Sequence, residues 1–258
     1  MDTTAEKAAR QWREFDVYLV QAGEAWGRDA RRRLVDETAA AADGYRRGNE
    51  AAAINAIRDS VWIEYLTRLY RSVTVHAGER AAELLDVAAD TALLTGVALG
   101  YLDRNAEPRG AGIAETSRDN VRRWIRQGRN EDEAPATIGR RIAAEGRMMA
   151  QWRSMVIATT ETHGASWLGA WSAARYSHLS LTKIWEAPRR AGVTCDQHKS
   201  THGQRRPLIE PFHVLNDYEP GTAEDAMQHP GDAEMGARAS NIINCRCAMD
   251  FDRVVRSR

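Results

Sequence analysis

The stretch LTKIWEAP, residues 181–188, is where the helical character of this chain ends. Leu181–Glu186 reads as a short strand with imperfect apolar/polar alternation, closed by Pro188. Downstream, residues 189–238 are dominated by Gly, Pro, His, Asp and charged side chains, and Ile242–Phe251 offers a second strand. Upstream, the apolar residues recur at spacings of three and four. The expected fold class is therefore α+β: a mostly helical N-terminal half, then a small loop-rich α+β module with a short antiparallel sheet.

Working back from residue 181, Met148–Tyr176 reads as one helix carrying Trp152, Val156, Thr159 and His163 along one side. Before it come two shorter helices, one over Ser117–Gln127 and one over Pro135–Glu145, with Pro135 suited to a first turn. Asn105, Pro108, Gly110 and Gly112 predict a loop over residues 103–112. Earlier still, three helices are expected. The first carries Trp12, Phe15, Leu19, Ala22 and Trp26 and stops at Asp43-Gly44. The second starts near Asn49 with a stripe from Ile54 to Val73, and the third runs from Gly78 to Tyr101. The corresponding domains are a helical bundle or hairpin over 1–112, a short-helix connector over 113–147, and a C-terminal module over 148–258.

Acidic and basic residues balance at 36 each, so no global field draws the chain to nucleic acid or membrane. The first ten residues hold no apolar core behind a basic start, so no signal peptide is expected. No uncharged apolar run reaches the length of a membrane span. The expected setting is a reducing cytoplasm, in which three cysteines do not make a disulfide framework.

The chemistry is concentrated late in the chain. Six of seven histidines lie between His163 and His229, and all three cysteines lie beyond residue 190. Two local patterns stand out, Cys195-Asp-Gln-His198 and Cys245-Arg-Cys247. Residues two apart on an extended chain face the same side, so Cys245 and Cys247 present both sulfurs together while Arg246 faces away. With Cys195 and His198 they make three sulfurs and one imidazole, a set that suits a structural zinc. Two other readings of the same residues stand beside it: reduced cysteines packed as small hydrophobes next to a hydrogen-bonded histidine, and a disulfide from Cys195 to one of the others.

These patterns belong to an ordered series. It runs from Thr160-Glu161-Thr162 through Lys183-Ile184-Trp185, Cys195-Asp-Gln-His198, Gly203 and Pro211-Phe212. His229-Pro-Gly-Asp232 and the closing Asn244-Cys245-Arg246-Cys247 complete it. The series resembles the Mu F-like head-morphogenesis family of tailed phages, over roughly residues 140–251. The resemblance implies a minor head protein made in the host cytoplasm, incorporated into the virion head, and associating with portal or capsid proteins. It implies no catalytic residue. Two features depart from the family: Thr159-Thr160 stands before Glu161-Thr162 where many relatives carry an arginine, and Ile242-Ile243 where some carry His-Pro, leaving His198 or His229 as the imidazole donor.

Among the single residues, Glu161 is expected as a surface or helix-pairing carboxylate, with Arg246 or Lys183 as an alternative charge partner. Trp185 is expected in the core, His229–Asp232 as a turn, and His163 and His178 on helix surfaces. Two functions compete with a structural one. His198, Lys199, His202 and Arg205 are close enough in sequence for acid–base work on a phosphodiester in a nuclease-like module. Arg122, Arg126 and Arg129 share a helix face that suits phosphate contact in a DNA-binding packaging accessory.

Overall fold

A computed structural model describes residues 4–187, 196–215 and 224–254. The helices α1 (Thr4–Tyr45), α2 (Glu50–Asn55), α3 (Asp59–Leu84), α4 (Thr91–Asn130) and α5 (Pro135–Tyr176) come first. Then follow β1 (Leu181–Glu186), α6 (Asp196–Thr201), β2 (Arg205–Pro207), β3 (Phe212–Leu215), β4 (Glu224–Met227), α7 (Ala239–Ile242) and β5 (Ala248–Arg253). The class is α+β, helical first and with its short antiparallel sheet last. No described helix is long and apolar enough to cross a membrane.

Local chemistry sets several ends. Asn49 caps α2, its side chain accepting from the Ala52 N–H at 2.9 Å. Asp86 takes a left-handed φ of 55° just past α3. Its N–H reaches the Glu83 carbonyl, and the Val87 N–H reaches that of Ala82. That pair of bonds closes a helix end against residual carbonyls. Asp90 then caps α4 by accepting from the Leu93 N–H.

Three expectations need correction. The stripe from Ile54 to Val73 is divided between α2 and α3, because the chain turns at residues 56–58. The loop expected at 103–112 is helix, carried through Pro108 inside α4. Leu102, Ala106 and Ala114 are buried along this run, and a Cβ at Gly110 would meet the Ile63 backbone at 3.0 Å. Residues 102, 106, 110 and 114 thus form one stripe of helical period, and Gly110 serves close packing rather than a turn. Likewise α5 runs unbroken from Pro135 to Tyr176, past the expected stop near Gly146. A Cβ on Gly146 would collide with the Thr38 side chain, so this glycine marks where α5 meets α1. The boundaries expected at 112 and 147 accordingly fall within α4 and α5.

The chain groups into two compact units. One comprises Met1–Gly23, Leu69–Leu99 and Thr159–Arg258, the other Glu24–Arg68 and Gly100–Ala158. The second unit is helical, with Leu34, Ile57, Trp62, Tyr65, Leu66, Val121, Ile125 and Ile142 in its core. The first unit packs helical segments against a three-stranded sheet of order β2-β1-β5 and a β3-β4 hairpin, all pairs antiparallel. Its core gathers Phe15, Trp167, Trp185, Phe212, Met227 and Met249. Residues 74 and 169 approach so closely that a Cβ on Gly169 would lie 2.1 Å from the Thr74 carbonyl oxygen. In β1 the alternation is imperfect because Ile184 is buried as well as Leu181, Lys183 and Trp185.

Candidate metal centre

β5 pairs with β1 over its full length, from Leu181 opposite Arg253 to Glu186 opposite Ala248. The residue before β5, Cys247, is thereby delivered to the Glu186 end of β1. On the other side of the same place, Trp185 exchanges backbone bonds with Gly203 and Gln204, just beyond α6. His198 on α6 then lies against Trp185, ring centroids 5.6 Å apart, and Trp185 against Phe212 at 5.2 Å.

The Asn-Cys-Arg-Cys turn follows from its residue types. Asn244 sits at φ 57°, a region that asparagine tolerates better than most side chains. Its N–H donates to the Thr160 hydroxyl of α5 at 2.9 Å. Beyond it Cys245 and Cys247 are buried and Arg246 between them is exposed, the alternation expected of an extended segment. The Cys247 carbonyl oxygen lies 2.5 Å from His163 Nε2, also on α5, and that nitrogen faces the Trp167 indole N–H at 3.1 Å. Thr160 and His163 therefore clamp both ends of the cysteine segment. His163 is buried, not on a helix surface, because the stripe from Val156 to His163 continues into Trp167, Ala170 and Ala174 in the core.

Clamped this way, both sulfurs face one imidazole. His198 Nδ1 is 3.4 Å from Cys247 Sγ and 3.7 Å from Cys245 Sγ. Their three donor atoms lie within 4.8 Å of one another and all three residues are buried. Tetrahedral zinc at its usual Zn–S and Zn–N lengths places sulfur and nitrogen donors about 3.5 Å apart. The two observed separations bracket that value, so the group can hold a metal ion. The Cys245 thiol is held well below its usual pKa, first by its hydrogen bond with Cys247 and then, against burial, by His198. Lowered thiol pKa favours the thiolate that a metal needs. Both thiols are free, so a disulfide is not what the structure holds. Cys195 lies outside the described residues. His198 Nε2 is buried with no hydrogen-bond partner among the described residues.

A second knot lies on the same unit. Lys183 is fully buried, its ammonium 4.8 Å from the centre of the Phe212 ring and bonded to Gln228. His229–Asp232 is a tight turn, closed by Asp232 N–H donating to the His229 carbonyl, with Gly231 at φ 78°. The Asp232 carboxylate accepts from the Gln228 and Glu234 N–H groups at 2.7 and 2.8 Å. His229 is buried, and desolvation depresses its pKa. Gly231 has no room for a side chain, since a Cβ would meet Gly164 of α5 at 3.1 Å.

Glu161 is a helix-pairing carboxylate, buried and accepting from the Tyr70 hydroxyl of α3 at 3.2 Å. Lys183 is bonded to Gln228, and Arg246 is exposed with no bond to any described side chain. Of the phosphodiester candidates, His198 faces the sulfurs. His202 Nδ1 accepts from the Ala187 N–H, and Arg205 pairs with Asp252. On α4, Arg122 pairs with Glu115 and Asp119, and Arg129 with Glu50, leaving Arg126 as the open member of that face. Sequence reasoning named Thr160 and His163 without their role at the cysteine segment, and missed Gln228 altogether. The apolar stripe signalled His163, whereas nothing local signals Gln228.

Comparison of the chain with family models, curated proteins and solved structures finds no match.

Proposed function

We propose that this chain is a minor head protein of a tailed phage, a virion component that associates with portal or capsid proteins during procapsid assembly. One observation carries the reading. The residues of the Mu F-like series, Glu161, Lys183, Trp185, His229, Asp232 and both terminal cysteines, are buried, and their partners (Tyr70, Gln228, His198 and Phe212 among them) lie within the same unit. A catalytic group must reach substrate, and these residues instead knit a loop-rich module together. This supports a structural role over a nuclease-like one. The ion pairs of Arg122 and Arg129 likewise weigh against DNA binding as the main task.

In the same reading the ion is zinc, held by Cys245, Cys247 and His198, with Cys195 as the fourth donor. When bound, it would join α6 to the segment before β5 beside the apolar core of the unit. Zinc in this set has no open position for a substrate.

The test is co-expression of the full chain with the portal and capsid proteins of a tailed phage from the same source, followed by particle purification. The chain should sediment with procapsids and remain bound to isolated portal rings. Its absence from particles, together with failure to bind either protein, would overturn the reading.

A further inference from the structure

Met148, Trp152 and Met155 of α5 recur at spacings of four and three, which places them on one face of the helix. They are 64, 63 and 42% exposed, so the chain's own packing leaves them open. Single exposed apolar side chains are ordinary, but a tryptophan set between two methionines on one helix face is a contiguous patch.

The charges around this face have one sign. The exposed positions of α5 from 140 to 155 include Arg140 and Arg147 and no acid. Alongside runs α1, with Gly27 against Met155 and Thr38 against Gly146. Arg31 lies on that same face of α1, one turn beyond Gly27, and Arg28 borders it. Arg28, Arg31 and Arg147 are exposed, and none forms an ion pair with a described residue. In contrast, Arg33, Arg118, Arg122 and Arg141 are each paired with a carboxylate. Tryptophan, methionine and arginine are the side chains in which protein interfaces are enriched. The face is therefore an apolar centre with an unneutralised cationic border.

The reverse pattern exists on the same chain. Where α3 gives way to α4, an open hollow of about 460 Å³ is lined by Glu79, Glu83, Asp86, Val87, Ala88 and Ala89. Half of that lining is carboxylate and half is small and apolar. Arg80 pairs with Glu83 and offsets only one of the three acids. An indole fits such a hollow, and the acids match arginines that have no partner of their own.

We propose that the Met148–Trp152–Met155 face of one copy docks on the hollow between α3 and α4 of a second copy of this chain. Trp152 enters the hollow, and Arg28, Arg31 and Arg147 meet the carboxylates around it. The two surfaces are different, so the contact is heterologous: copies join head to tail, into a ring if the rotation closes and a filament if it does not. The proposal stands independently of the head-protein reading.

The test is sedimentation velocity of the full chain. The parent should associate between about 1 and 100 µM and should do so less at high salt. One variant, Trp152→Ala with Arg31→Glu, loses the face; another, Glu83→Lys with Asp86→Asn, loses the hollow. All four positions are at the surface, so both variants should unfold at the temperature of the parent. Each variant alone should associate about tenfold or more weakly than the parent. Mixed in equal amounts they should form a dimer of one copy of each and nothing larger, because the mixture retains one intact face and one intact hollow. A parent that stays monomeric at about 100 µM would overturn the proposal and leave the face to a different protein. So would a folded variant that associates as the parent does, or a mixture that stays monomeric.

Discussion

Lys183 Nζ donates to both the backbone carbonyl and the side-chain Oε1 of Gln228, at 2.7 and 2.8 Å. One buried amine thereby ties β1 to the turn that follows β4. No carboxylate lies within ion-pair distance among the described residues. Asp232 and Glu210 only partly offset the loss of solvent, and burial lowers the Lys183 pKa to about 7.

This has a consequence for stability against pH. The folded pKa lies below the unfolded value, so between about 7 and 10.5 the unfolded chain binds the extra proton. Stability therefore rises with pH across that window, by up to ~5 kcal/mol from this group alone. Lys183→Met should flatten that rise and, at pH 9 to 10, be less stable than the parent, because both Gln228 oxygens lose their donor. Urea melts of both proteins at several pH values would show it. Identical slopes in the two would refute the assignment.

Glu37, buried on α1, should produce the opposite trend. Its folded pKa of about 7 lies above the usual carboxylate value of 4.5. Between those values the folded state holds a proton that the unfolded chain has released, so stability falls as pH rises. The loss amounts to ~3 kcal/mol by pH 8. Glu37→Gln should remove it and raise the melting temperature at pH 8. Differential scanning calorimetry at pH 5 and pH 8 compares the two proteins directly.

Gly169 and Gly112 form a matched pair of helical glycines. A Cβ at 169 would run into the α3 backbone at Thr74, whereas a Cβ at 112 would meet nothing within 4 Å. Gly169→Ala should cost ~2–4 kcal/mol through displaced backbone. Gly112→Ala should be neutral or add ~0.5–1 kcal/mol through helix propensity. Denaturant unfolding of the two variants decides it, and equal effects would contradict the close contact of α5 with α3 at Gly169 and Thr74.

Metal removal bears on the zinc reading. Dialysis against a strong chelator at neutral pH should lower the melting temperature, and zinc should restore it. Cobalt in its place should give the intense visible bands of a tetrahedral thiolate site. Cys247→Ser should abolish those bands. A protein that carries no metal after purification under reducing conditions, and gains no bands with cobalt, would leave the cysteines as packed thiols.

Much of the local architecture was legible along the chain. The helical period up to Tyr176, the strand Leu181–Glu186 and the turn at His229–Asp232 each follow from side chains acting on their own backbone. The crowding of Cys and His late in the chain also pointed to the right region. Asn105, Pro108, Gly110 and Gly112 misled, because turn propensity is weak against the burial of Leu102, Ala106 and Ala114 and the close approach of Ile63. His163 is buried rather than on a helix surface for a related reason: the face of α5 that carries it is covered from outside its own sequence neighbourhood.

The candidate metal centre divides along the same line. Spacing alone put Cys245 and Cys247 on one side of an extended segment, since alternation is a property of the strand itself. That His198, 47 residues earlier, turns its Nδ1 to both sulfurs was decided by the pairing of β1 with β5, the packing of α6 on Trp185, and the clamp of Thr160 and His163. Periodicity is local and survives in any window of sequence. The convergence of donors depends on which distant surfaces bury one another, and no single segment contains that information.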